Sequence, residues 1–207
     1  MFDSIIAKEG QKSILVAFIA MLVFILAGCS FLAFISFAVV LVFVFLYRNN
    51  TLKINSSSTE ILSPISGIVS AIDVKDKNKL IHIDVSLCNS HILRALEDGK
   101  FEVTNKRGLN LPLATFKAKV LNEKAKIEFE NTSLELISSM CNSNIDIKEN
   151  INSLKGDRIG VFLQGQIIVT LKSELELSVK IGDKVESGIS VIANKIVSEE
   201  KKEEENI

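Results

Sequence analysis

"GVFLQGQIIVTLKSELELSVKI", Gly160 to Ile181, holds both the alternation that decides the fold and the residue pair that raises the functional question. In its second half Leu175, Leu177, Val179 and Ile181 alternate with polar residues. A period of two places one set of side chains on a buried face and the other toward solvent, as in a strand. "KAKIEFE" offers Ala125, Ile127 and Phe129 in the same way. "GIVSAIDV" and "KLIHIDVSL" read as two more strands joined by the polar turn KDKNK. Gly156, Gly165, Gly182 and Gly188 punctuate the C-terminal strands where turns or bulges are expected. One segment, 131–142 (NTSLELISSMCN), carries helical spacing instead, through Leu134, Ile137 and Cys141. The expected domain, residues 61–195, is mostly β, a barrel or sandwich.

Upstream, residues 14–47 are of another kind. From Ile14 to Leu46 there are 33 residues without a charge. One straight helix of that length would be about 50 Å long, against a hydrocarbon core near 30 Å. Gly28-Cys29-Ser30 lies near the middle and divides the block into two helices, about 14–28 and 31–47. The expectation is an N-terminal transmembrane helical hairpin following a cytoplasmic stretch, 1–13, with each half slightly shorter than the usual span and met by bilayer thinning or a re-entrant depth. Lys8 and Lys12 precede it, and Arg48 and Lys53 follow it. Positive flanks on both sides put both ends on the cytoplasmic face of a bacterial inner membrane. A competing reading takes Leu26-Ala27-Gly28-Cys29 as a lipoprotein cleavage box, with the domain exported after cleavage before Cys29. Against it, Phe31 to Tyr47 continues as a second apolar run where a polar tether would follow. Residues 48–60 are Ser/Asn-rich and read as a tether, and 196–207 as a charged, disordered tail.

Composition excludes several classes. The net charge of −1, without a basic stripe, argues against nucleic acid. Three scattered cysteines (Cys29, Cys88, Cys141) and two histidines (His82, His91) offer neither a disulfide framework nor a metal site. Cys88 and Cys141 read as small apolar residues, and His82, inside an alternating strand, as structural.

Several blocks, in one order, resemble the phosphatidylserine decarboxylase family. "SPISGIV" (Ser63–Val69) is similar to SPADGxV, "LCNSHILRALEDGKFE" (Leu87–Glu102) to the segment around DVHxNRxPxxG, and "NEK" (Asn122–Lys124) to NER. "KGDRIGVFLQGQIIVTLK" and "VKIGDKVESGISVIA" resemble GxRxGxIxFGSxVDxxLP and VxxGxxVxxGxTxLA. The smaller members also carry an apolar hairpin ending in FFRDP, where this chain has Tyr47-Arg48-Asn49. The resemblance implies a proenzyme whose Gly-Ser bond cleaves itself. The serine hydroxyl attacks the preceding carbonyl, and elimination leaves a pyruvoyl group that serves as electron sink for decarboxylation. The Asp of SPADG and the His of DVH assist that cleavage.

Carried over position by position, the pattern breaks where the chemistry begins. The self-cleaving serine falls on Gln166, after Gly165, and the aspartate falls on Ser66. An amide lacks the hydroxyl or thiol for an acyl shift, so a pyruvoyl cofactor is not expected. His91 and Arg94 match, but the family's proline becomes Leu96, and the IAG…ARR stretch has no counterpart in SLELISSMCNSN. Vestigial positions are therefore Ser66, His91, Gly165 and Gln166. His91 and Arg94 are candidates for a lipid headgroup, Arg because its guanidinium matches phosphate. For Gln166 the plainer reading is hydrogen bonding to nearby backbone, and for Ser66 a turn before a positive-φ Gly67. The leading expectation is a pseudoenzyme that binds phospholipid, or pairs with itself or an active relative. Two alternatives stay open. An active decarboxylase would need a cleavable Gly-Ser-type bond. A periplasmic adaptor built on a lipoyl-like sandwich would need long heptad runs between its half-motifs.

Overall fold

The computed structural model describes residues 8–48, 59–140, 145–147 and 152–195. The chain opens with helices α1 (Lys8–Leu26) and α2 (Ser30–Leu46). Strands β1 (Glu60–Leu62), β2 (Gly67–Lys75), β3 (Asn78–Val85), β4 (Ile92–Arg94) and β5 (Glu102–Lys106) follow. A short helix α3 (Phe116–Leu121) leads into β6 (Lys124–Glu128), β7 (Thr132–Ser138) and β8 (Asp146–Ile147). The chain then adds β9 (Arg158–Val161), β10 (Gly165–Leu171), β11 (Leu175–Leu177), β12 (Lys184–Val185) and β13 (Val191–Lys195).

The mostly β expectation holds. Seven strands form one sheet in the order β12-β2-β3-β10-β7-β6-β5, antiparallel at every pairing. Two three-stranded sheets, β1-β13-β11 and β4-β9-β8, complete the domain. Alternation chooses the faces. Ile81 and Ile83 of β3, Leu134 and Leu136 of β7, and Ile167, Val169 and Leu171 of β10 are all fully buried in one core. Each such side chain contributes about 1.5–3 kcal/mol through burial. The intervening Gln166, Ile168 and Thr170 therefore lie on the outer face of the same sheet.

Three expectations need correction. The helix expected at 131–142 is strand β7, held by β6 on one side and β10 on the other. Its true period is the buried set Thr132, Leu134 and Leu136. Because Ile137, Ser138 and Ser139 are buried as well, the alternation is blurred at its end. Cys141 lies outside the described residues, as do 49–58 of the expected tether and the 196–207 tail.

The second correction concerns the N-terminal block. It does fold as a helical hairpin, and the turn falls at Gly28, whose φ of +73° suits a residue without a Cβ. Yet no described helix is long and apolar enough to cross a membrane. The apolar part of α1 starts only at Ile14 and rises about 20 Å by Leu26, and α2 rises about 25 Å, both short of a core near 30 Å. The transmembrane assignment therefore fails on the length of each helix. What the hairpin does show is an apolar exterior, with Leu26 and Phe31 among its most exposed residues. Its base is joined to the β domain by Tyr47, which packs on Ile92, Val161 and Leu163. Gly10 of α1 closes on the same ring: a Cβ there would lie 2.2 Å from Tyr47 Cγ.

The third is local. Gly67 is not a positive-φ turn residue but the first residue of β2. A Cβ at this position would meet Asp84 O and Ile83 Cγ2, each at 2.6 Å, so close strand packing requires the glycine.

Candidate functional site

Gly165-Gln166 opens β10, between β3 and β7. Gly165 pairs with Val85 and Ser138, and Gln166 with Asp84 and Ile137. The φ of Gly165 is +148°, and a Cβ here would lie 2.1 Å from Ile137 O and 2.7 Å from Phe162 Cζ. The glycine is thus demanded by packing, whatever chemistry its carbonyl undergoes.

Gln166 is buried on the outer face and bonds to side chains rather than to backbone. Its Nε2 donates to Asp84 Oδ1 at 2.8 Å and, more weakly, to Ser70 Oγ at 3.4 Å. Its Oε1 accepts from Lys119 Nζ at 3.0 Å. The reverse amide orientation would set oxygen against carboxylate and NH2 against ammonium, so charge fixes the assignment. The amide bridges an anion from β3 and a cation from α3. α3 is capped at Thr115, whose Oγ1 accepts from Ala118 N at 3.2 Å. Asn122, in the NEK element, anchors the end of α3. Its Nδ2 donates to Leu111 O and Ser138 O at 2.6 and 2.8 Å, and its Oδ1 accepts from Leu111 N at 2.9 Å.

Ser66 lies elsewhere. It borders a cavity of about 430 Å³ that is also lined by Ser86, Ser90, Arg94, Arg48 and Lys184. Ser66 Oγ accepts from Ser187 N at 3.0 Å. Ser187 Oγ in turn contacts Ile92 O at 2.9 Å and Pro64 O at 3.3 Å. Three cations and one acid, Glu186, edge this opening, so it favours an anion that carries a lesser positive group. Gln166 does not line it. Gln166 is level with Asp84, and Asp84 with Ile68, which places the glutamine two strands, roughly 10 Å, away.

Of the two headgroup candidates, Arg94 lines the cavity and His91 does not. Arg94 Nη1 donates to Gly156 O at 2.9 Å. Burial and then the charge of Arg158 lower its pKa from the ordinary value, with Asp157 opposing. His91 is buried, with Nδ1 2.8 Å from Leu46 O and Nε2 3.2 Å from Ser86 O. Burial pushes its pKa down; the two carbonyls pull it up, and Arg48 lowers it further. A neutral ring owns one N–H, and the shorter contact assigns it to Nδ1. Through Nδ1–H, His91 ties the end of α2 to the start of β4. His82 stands apart, 3.0 Å from Asp73.

Sequence reading found Ser66, His91, Arg94, Gly165 and Gln166. It missed Lys119 and Asp84 around the glutamine and Lys184 around the cavity, and read Arg48 only as a cation flanking the hairpin. Neither Lys119 nor Asp84 belongs to a local motif near Gln166. Among the described residues no group of three or more His, Cys, Asp or Glu could hold a metal ion.

A pyruvoyl group does not fit residue 166 as it stands. Forming one requires a nucleophilic oxygen or sulfur on Cβ that later leaves, and Gln166 has a methylene there. Its only heteroatoms are engaged by Asp84, Ser70 and Lys119.

A family model described as phosphatidylserine decarboxylase matches residues 39–193. A putative archaetidylserine decarboxylase proenzyme of Methanosarcina mazei is 30% identical over 172 residues, covering 79% of this chain and 80% of that protein. Its namesake from Methanosarcina barkeri is 30% identical over 169 residues, covering 78% and 81%. No solved structure matches. With the ordered blocks and the β domain both in place, the chain belongs to the phosphatidylserine decarboxylase family.

Proposed function

We propose that this chain is an uncleaved member of its family that binds a serine-phosphate lipid headgroup without decarboxylating it. The observation that carries the reading is Gln166, whose amide sits where the reactive hydroxyl would be and is held by Asp84 and Lys119. Without a leaving group on Cβ, no electron sink arises, and the carboxylate of a bound headgroup has nowhere to send its electron pair.

The cavity supports the binding half. Arg48, Arg94 and Lys184 suit a phosphodiester and a carboxylate, and Glu186 suits an ammonium group. A headgroup of this kind is what the names of the Methanosarcina relatives imply for those proteins. His91 stays outside the cavity lining, which leaves the anion to the cations.

Phosphatidylserine labelled at its carboxyl carbon tests both halves, in vesicles carrying the full-length chain. The expected result is saturable retention of the soluble glycerophosphoserine headgroup and no labelled carbon dioxide above the protein-free control. Sustained release of label would contradict the reading, as would the absence of any headgroup binding.

A further inference from the structure

Between Val103 and Asn122 the chain carries no Asp or Glu but four cations, within a protein of net charge −1. The same segment holds α3, and its apolar residues do not turn inward. Leu109, Leu111, Phe116, Val120 and Leu121 are between 39% and 81% exposed, Phe116 the most. Lys106, Arg107 and Lys117 are exposed around them. The fourth cation, Lys119, turns in to Gln166. Exposed apolar side chains interleaved with cations along one segment mark an interaction surface.

The position of the patch narrows the partner. Lys119 contacts Gln166, and Gln166 contacts Asp84 near the end of β3. Two residues further on, Ser86 meets His91, which meets Leu46 at the base of the apolar hairpin. The α3 patch and the hairpin base therefore share one end of the seven-stranded sheet. From these observations the geometry points to an anionic lipid surface as the partner of the 106–121 segment. Phe116 and its apolar neighbours enter the headgroup region, and Lys106, Arg107 and Lys117 engage anionic headgroups. A protein partner of complementary charge would need acidic groups beside an apolar core, whereas an anionic lipid surface offers both everywhere. This contact goes beyond the headgroup cavity and stands whether or not that cavity is filled.

The chain has no tryptophan, so Phe116→Trp places a single reporter on the patch. The full-length variant is reconstituted in vesicles with and without anionic lipid, using brominated acyl chains as quencher. Strong quenching is expected with anionic lipid and little without it. Adding Lys106→Gln, Arg107→Gln and Lys117→Gln should shift the docking equilibrium by roughly 100-fold, at about fivefold per cation. An unchanged melting temperature of these surface variants confirms that they fold. Absence of quenching in both vesicles would overturn the proposal, as would equal quenching that ignores the three substitutions. A blue shift that follows protein density rather than lipid would assign the patch to a second copy of the chain and overturn it too.

Discussion

Gly165→Ala should lose most of the stability of the domain. A Cβ at residue 165 would sit 2.1 Å from the carbonyl oxygen of Ile137 and 2.7 Å from Phe162 Cζ. Neither neighbour can retreat cheaply. Ile137 belongs to β7, which is hydrogen-bonded on both sides, and Phe162 is fully buried in the core. The φ of +148° adds strain that only glycine escapes. The expected loss is about 4 kcal/mol or more, most of the stability of a domain at the low end of the usual range of about 5–15 kcal/mol. Gly182→Ala is the control. It has positive φ, +94°, but nothing within 4 Å of the added Cβ. It should cost only the backbone strain, about 1–2 kcal/mol. Denaturant unfolding of the two variants separates the cases, and a Gly165→Ala protein within 1 kcal/mol of the parent would refute the packing argument. The consequence for function is direct. Gly165 is required by the sheet, so its presence is no sign that the following bond is cut.

Arg48→Gln combined with Lys184→Gln should weaken binding of glycerophosphoserine by about 100-fold. Each substitution removes a charge-assisted hydrogen bond worth roughly 1.5 kcal/mol or more, and tenfold corresponds to about 1.4 kcal/mol. The two residues come from opposite ends of the chain, one just past α2 and one in β12, and meet only at the cavity. Arg94 is left intact because it also supports Gly156 O. Calorimetric titration of parent and double variant checks the prediction. Equal affinities would remove the cavity from the account, while the loss should fade in high salt as the electrostatic part is screened.

Where one face of a strand meets solvent, the sequence was readable. β2, β3 and β6 announced themselves by alternation because they bury one side. β7 did not, since its last residues are buried on both faces and Leu134 and Ile137 then fall three apart, as they would on a helix. α3 is six residues long, too short for any periodicity to be seen. The apolar block was legible as a broken hairpin through Gly28, each half already slightly shorter than the usual membrane span. At the site, resemblance located Ser66, His91, Arg94, Gly165 and Gln166, while their surroundings stayed hidden. Asp84 lies 82 residues from Gln166 and Lys119 47 residues from it. Long-range antiparallel pairing brings them together, and no local spacing records it. The carry-over also could not tell that Ser66 and Gln166 are separated by two strands, or that His91 is turned to the carbonyl of Leu46.

The central claim is that residue 166 never becomes a cofactor, and the intact mass of the purified full-length chain tests it most directly. One covalently continuous species near 22.8 kDa is the predicted result. Two fragments divided between Gly165 and Gln166, the second with a blocked N-terminus, would contradict it.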